Sequence, residues 1–258
     1  MTTLQASSDE LMTVVASRAL RNDDVCFVGI GAPSAACNLA RATHAPELVL
    51  IYESGTLETR PDNLPLSIGD GELCDTALTT VSVPELFGYW LQSGRISKGF
   101  LGGAQIDRFA NINSTVIGPY DEPMVRLPGG GGAPEIAANC GEVFIIAKHQ
   151  PRVLVERIDF ITSLGHGTGG TARADAGLVT AGPTLLVTDL CMMRPEEDTR
   201  ELVVSSIHPG STRGQIQERT GWEVRFAEDV AETPPPTDDE LRILRELHER
   251  TRRSHAGG

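Results

Sequence analysis

Two short apolar runs, Val25 to Ile30 and Leu48 to Tyr52, bracket a segment that opens Gly29-Ile30-Gly31-Ala32-Pro33-Ser34. Residues from that turn to about Ala42 suit a helix with Pro33 in its first turn, where a missing N–H costs nothing. Strand, glycine turn, helix and strand make a β-α-β unit. Its crossover is normally right-handed and its two strands parallel, so the chain is committed early to an α/β sheet.

The rest of the pattern agrees. Ser7 with Glu10 has capping-box spacing, and Leu11, Val14, Val15 and Leu20 follow at helical intervals, predicting an opening helix that Asn22-Asp23-Asp24 ends. Further strands are expected at Ile96 to Phe100, Val116 to Gly118, Val143 to Ala147 and Leu185 to Thr188, with a helix near Val83 to Gln92. This alternation predicts an open, mostly parallel sheet covered by helices on both faces. Residues 227–240 carry six acids and no base around Pro234-Pro235-Pro236, which reads as a solvated linker. A last helix is expected from Thr237, capped with Glu240, with Leu241, Leu244 and Leu247 on one face. The expected organisation is one domain over 1–226, then an acidic Pro-rich linker and helix over 227–258.

Charge and composition exclude several partners. The formal net charge is −13 over 258 residues, which repels nucleic acid and anionic membranes while leaving room for a local basic patch. No apolar run approaches the roughly 20 residues of a membrane span, and MTTLQASSDELM has neither the basic start nor the apolar stretch of a signal peptide, so the cytoplasm is the expected compartment. The five cysteines, Cys26, Cys37, Cys74, Cys140 and Cys191, are scattered with no CxxC pair or metal-ligand spacing, so reduced and mostly buried thiols are expected and no metal site.

Two sets of residues carry candidate chemistry. Gly29-x-Gly31-x-x-Ser34 with Glu53 near the end of the next strand resembles part of a dinucleotide fingerprint, which keeps a nicotinamide-dependent oxidoreductase as one alternative. Glu53 is also a carboxylate at the carboxyl end of a parallel strand, where α/β proteins bind ligands, and Gly55 lets the chain turn sharply and leave it accessible. An ordinary strand-end acid has the same pattern. His149 and His166 are acid-base candidates by residue type, with a solvated or hydrogen-bonded loop histidine the simpler account. Lys148, Arg152 and Arg157 form a basic cluster that suits phosphates, a substrate carboxylate or solvent alike.

Several motifs together resemble a known family. Tyr52-Glu53-Ser54-Gly55, Leu101-Gly102-Gly103-Ala104-Gln105-Ile106-Asp107, Asn111-Ile112-Asn113-Ser114-Thr115-Val116-Ile117-Gly118 and Gly129-Gly130-Gly131-Gly132-Ala133 occur in the order of class I coenzyme A transferase β subunits, most closely the glutaconate type. The likeness continues through Arg157-Ile158-Asp159-Phe160-Ile161-Thr162-Ser163 and Val187-Thr188-Asp189 to the final helix. Within the family it looks most like the cholesterol ring-cleaving hydrolase branch.

The resemblance implies the CoA-transferase fold, a homologous α subunit in an α2β2 heterotetramer, and a CoA thioester as substrate with no bound cofactor. It implies a catalytic Glu53, which in transferases attacks the thioester to form an anhydride and then a glutamyl-CoA. It places Gly31, Ser54, Gly102, Gly103, Gln105 and Gly129 to Gly132 at the acyl-CoA, although Gln105, Asp107, Asn111 and Asn113 equally suit turn-stabilising hydrogen bonds. The closer likeness implies hydrolytic opening of the last ring of a cyclic β-keto acyl-CoA in steroid degradation. Transfer of CoA between carboxylates is the main alternative, and a non-catalytic partner subunit a third. Departures from the family pattern at Thr56-Leu57-Glu58-Thr59-Arg60 and Ala133-Pro134-Glu135 bear on substrate identity.

Overall fold

A computed structural model of the chain describes residues 4–255. In chain order the elements are α1 (Ser8–Arg18), β1 (Val25–Val28), α2 (Ala32–Ala42), β2 (Val49–Tyr52), β3 (Thr56–Leu57), α3 (Gly71–Asp75), β4 (Thr79–Thr80), α4 (Val83–Glu85) continuing as a π-helical turn Leu86–Leu91, and β5 (Lys98–Leu101). There follow β6 (Gln105–Ile106), β7 (Ile112–Asn113), β8 (Val116–Ile117), β9 (Val125–Arg126), α5 (Ala133–Asn139), β10 (Glu142–Ile146), α6 (Ala172–Asp175) and β11 (Gly182–Val187). The chain ends with β12 (Cys191–Pro195), β13 (Leu202–Ile207), α7 (Arg213–Glu218), β14 (Arg225–Glu232) and α8 (Asp238–His255). They divide into two compact units, one of the residues up to Phe100 together with those from Pro235, the other Leu101–Pro234.

In the first unit β1 pairs in parallel with both β2 and β5, and the sheet is extended past β2 by antiparallel β3 and β4. Successive residues of a strand point to opposite faces. Cys26 accordingly meets Cys37 of α2, sulfur to sulfur at 3.7 Å, while Phe27 packs edge-on against Phe87 of the π-helical turn at 5.8 Å. Both faces are covered, as the β-α-β pattern predicts.

The capping box that marks the start of α1 is present in full, with Ser7 Oγ accepting from Glu10 N and Glu10 Oε2 accepting from Ser7 N. A second one starts α8, where Thr237 and Glu240 exchange the same two bonds. Helix α8 packs on α1 and α2 through a cluster of Val14, Ala35, Leu39 and Leu244. Each of the larger side chains contributes roughly 1.5–3 kcal/mol by leaving water. Arg18–Glu240 and Arg245–Glu10, both at 2.6 Å, fasten the rim of that contact.

In the second unit β10 and β11 are parallel, β12 and β13 follow antiparallel, and β14 returns parallel to β13. Two antiparallel ribbons, β6 with β7 and β8 with β9, lie outside this sheet. The expected strand at Val116 to Gly118 is therefore half of a ribbon. The expected linker over 227–240 is corrected as far as Glu232, because Arg225–Glu232 is an edge strand whose Arg225, Glu228, Asp229 and Glu232 face solvent. Charges on an outer strand oppose further pairing, which is why this strand reads as a linker. Among the described residues no helix is long and apolar enough to cross a membrane.

Candidate active site

Glu53 follows directly on β2, whose register sets Tyr52 opposite Val28 at the carboxyl end of β1. The sharp turn predicted from Gly55 is present. Gly55 N donates to Tyr52 O at 2.9 Å with Gly55 at φ +97°, and Val81 N donates to Gly55 O at 2.9 Å. A Cβ at Gly55 would collide with the Val81 carbonyl oxygen. The half-buried Glu53 thus sits on a turn closed by its own backbone and tied to Val81 beyond β4.

The same end of the sheet carries Gly31, the N-cap of α2, at φ +83° and with no side-chain cap. Uncapped first-turn amides leave the positive end of the helix open to negative charge. Ser34 Oγ and the fully buried Tyr52 hydroxyl lie 2.8 Å apart, tying the first turn of α2 to the strand that ends at Glu53. Burial, opposed by the Ser34 bond, raises the Tyr52 pKa well above its ordinary value, so this hydroxyl stays protonated. Two further hydroxyls flank the turn. Ser54 Oγ and Thr56 Oγ1 are buried with no hydrogen-bond partner.

The remaining expected site residues lie in the second unit. Gly102 and Gly103 link β5 to β6. The Gln105 amide is occupied internally: Oε1 accepts from Asn113 Nδ2 at 2.7 Å and Asp159 N at 3.0 Å, and Nε2 donates to Asp159 Oδ2 at 2.8 Å. The Gly129–Gly132 run leads into α5, with Gly129 N donating to Ser114 O at 2.8 Å and Ser114 Oγ donating to Gly129 O at 2.9 Å. Among the described residues the N–H groups of Gly130 and Gly131 meet no acceptor, so they are free to serve a ligand.

Asp107 and Asn111 make turn-stabilising hydrogen bonds, one of the two roles left open for them. Asp107 Oδ1 accepts from Phe109 N and Asn111 N, and Asn111 Oδ1 accepts from Gly165 N at 2.9 Å and Gly167 N at 3.1 Å, which anchors the second glycine group. Burial raises the Asp107 pKa against the opposing pull of the Asn111 bonds. Arg152 and Arg157 of the basic cluster are exposed, and Arg157 borders a cavity of about 510 Å³ with Arg108, Asp159 and Phe160.

The histidines resolve to the hydrogen-bonded account. His149 is fully buried, with Nδ1 3.0 Å from Thr188 Oγ1 and Nε2 2.9 Å from Thr220 Oγ1, and burial pulls its pKa down to about 4. His166 Nε2 lies 2.7 Å from Pro183 O, and its pKa too is lowered chiefly by burial. His166 borders a cavity of about 540 Å³ with Arg173 and Arg200, well away in sequence from Glu53. The motifs do not single out the Ser34–Tyr52 pair, whose signal is a tyrosine placed just before the glutamate in an otherwise aliphatic strand. Nor do they single out Arg173, buried among the carbonyls of Ala137, Leu164 and Gly165, which nothing local announces. Cys26, Cys37, Cys140 and Cys191 are buried free thiols and Cys74 is exposed.

Comparison with known proteins agrees with this geometry. The chain is 58% identical over 249 residues, 96% of each chain, to the β subunit of the 3-oxoadipate CoA-transferase of Pseudomonas knackmussii. Its fold superposes with a TM-score of 0.89 on the crystal structure of glutaconate coenzyme A-transferase from Acidaminococcus fermentans, at 29% identity over 95% of each chain. The cholesterol ring-cleaving hydrolase IpdB subunit of Mycobacterium tuberculosis is more distant, at 27% identity over 82% of each chain. The expected closest likeness to the hydrolase branch is thereby corrected, since whole-chain identity is about twice as high to the transferase subunit, 58% against 27%. The sequence model of the family described as Coenzyme A transferase matches residues 10–219, and the chain belongs to that family.

Proposed function

We propose that this chain is the β subunit of a transferase that moves CoA between dicarboxylates, 3-oxoadipate among them, with Glu53 as nucleophile. The observation that carries the reading is Glu53 on its pinned turn at the carboxyl end of β2, in a chain 58% identical to a 3-oxoadipate CoA-transferase subunit over 96% of its length. One Glu53 oxygen attacks the thioester carbonyl and CoA leaves as thiolate, giving an acyl-glutamyl anhydride. The thiolate then attacks the glutamyl carbonyl, releases the first carboxylate and forms a glutamyl-CoA thioester. The acceptor carboxylate repeats these steps in reverse and restores Glu53. A carboxylate suits the task because its anhydride is as activated as the thioester it replaces, so no energy is lost to water. The open end of α2 at Gly31, in the same unit as Glu53, is the proposed donor to acyl-CoA oxygens. CoA enters as substrate, and the reaction calls on no resident cofactor.

The proposed partner is a homologous α subunit in an α2β2 assembly. Exposed Leu78 (74%) and Tyr89 (69%) in the first unit, and Met124 (75%) in the second, support a chain that buries apolar surface elsewhere. Expressed alone, the chain should be inactive, and full activity from a purified homomer would sink the heteromeric reading.

The test uses the co-expressed pair. Acyl-CoA with hydroxylamine should modify Glu53, turnover should require an acceptor acid, and Glu53→Ala should lose at least about a hundredfold in rate while staying folded. Ring-opening hydrolysis, which the 27% relatives support less well, has the opposite signature. It needs no acceptor, keeps the thioester, and in labelled water puts one heavy oxygen into the new carboxylate.

A further inference from the structure

Five arginines line α8, and four of them are answered. Arg242 pairs with Asp239 and Glu246, Arg245 with Glu10, and Arg252 and Arg253 with Glu249. Arg250 is exposed and makes no ion pair or hydrogen bond among the described residues. It borders a cavity of about 280 Å³ together with Arg41 from the last turn of α2 and Arg60 from the loop after β3.

Arg41 is also under-answered. Its Nη1 donates to Thr59 O at 3.0 Å, but its Nε is buried without a partner. The dipole at the end of α2 favours a cation there, yet it leaves that N–H unsatisfied. Arg60 has Glu58 at 3.1 Å, and Asp62 is the single acid lining the cavity, so two carboxylates stand against three guanidiniums. Burial and the neighbouring Arg60 charge both lower the Arg41 pKa. In a chain of formal charge −13, a cavity that gathers three arginines and leaves two of them without a carboxylate is a local reversal of sign.

We propose that Arg41, Arg60 and Arg250 form a binding site for a phosphate dianion, free or as a phosphomonoester. Guanidinium forks match phosphate oxygens in pairs, and a dianion supplies the charge this cavity lacks. The site is separate from the reacting end of the unit. Gly31 and the start of α2 lie at the carboxyl end of the strands with Glu53, whereas Arg41 is in the last turn of this eleven-residue helix, about 15 Å further along at 1.5 Å per residue. Ligand bound there would tie α2 to α8 and act on Glu53 only through the body of α2.

The experiment uses the co-expressed heteromer in phosphate-free buffer, with thermal melting followed as inorganic phosphate or AMP replaces chloride at constant ionic strength. We expect a saturable rise in Tm with either probe, persisting in saturating CoA, and a half-saturating concentration at least about tenfold higher in Arg250→Gln, whose exposed position leaves folding intact. Arg41→Gln should show the same loss. Tighter binding of AMP assigns the site to an organic phosphomonoester, and equal binding assigns it to free phosphate. No rise beyond the ionic-strength control, an equal rise in Arg250→Gln, or abolition of the effect by CoA would overturn the proposal, the last by returning the phosphate to the substrate site.

Discussion

The Tyr52 hydroxyl lies 2.8 Å from Ser34 Oγ, so the residue before Glu53 is held by the first turn of the helix that the preceding strand feeds. Strand β2 and helix α2 are thereby fixed relative to each other at the end where Glu53 projects. Tyr52→Phe should cost about 1 kcal/mol of stability, the net value of a neutral hydrogen bond. Because the loss falls beside Glu53, kcat should fall several-fold while the fold is kept. Urea denaturation and steady-state kinetics on the same variant check this, and unchanged kcat would reduce the pair to packing.

Gly55 and Gly31 both adopt positive φ, but they differ in the space around them. A Cβ at Gly55 meets the Val81 carbonyl, whereas one at Gly31 meets nothing within 4 Å. Gly55→Ala should therefore fail to fold or lose more than about 3 kcal/mol, because strain and collision add. Gly31→Ala should lose only the conformational strain, about 1–2 kcal/mol. Equal melting temperatures for the two variants would contradict the turn geometry.

Every polar atom of the Gln105 amide that the geometry accounts for is spent on Asn113 and Asp159. Gln105→Ala should destabilise by about 1–3 kcal/mol through the buried groups left without partners. If its role is to hold β6 and β7 in place, KM for acyl-CoA should change little in variant protein that remains folded. A large rise in KM with unaltered stability would make Gln105 a substrate contact instead.

His149 ties stability to pH. Its folded pKa is lowered to about 4 by burial, so the unfolded chain binds the proton more tightly. The neutral native form is at full advantage above about 6.5, and stability is lost progressively as pH falls from there to about 4. The whole interval is worth on the order of 3 kcal/mol. Denaturation at a series of pH values should show a shallower acid slope in His149→Gln than in the unsubstituted protein, and parallel slopes would mean that the ring is protonated in place.

The parts of the fold legible from the chain are those whose signals are local. Ser7 with Glu10 and Thr237 with Glu240 mark helix starts within four residues of sequence, and Pro33 marks the first turn of α2. The apolar runs at β1 and β2 place Glu53 at a strand end, and Gly55 announces its turn. What these signals lack is any record of partners distant in sequence. Arg225–Glu232 is a strand only because β13 offers it a free edge, and no charge pattern within the segment states that. His149 reads as a loop histidine until Thr188 and Thr220 close around it and exclude the water that would keep its pKa normal. Arg41, Arg60 and Arg250 are unremarkable singly, and only the packing of α8 on α2 makes them one site, because like charges become a binding feature when the fold holds them together against their repulsion.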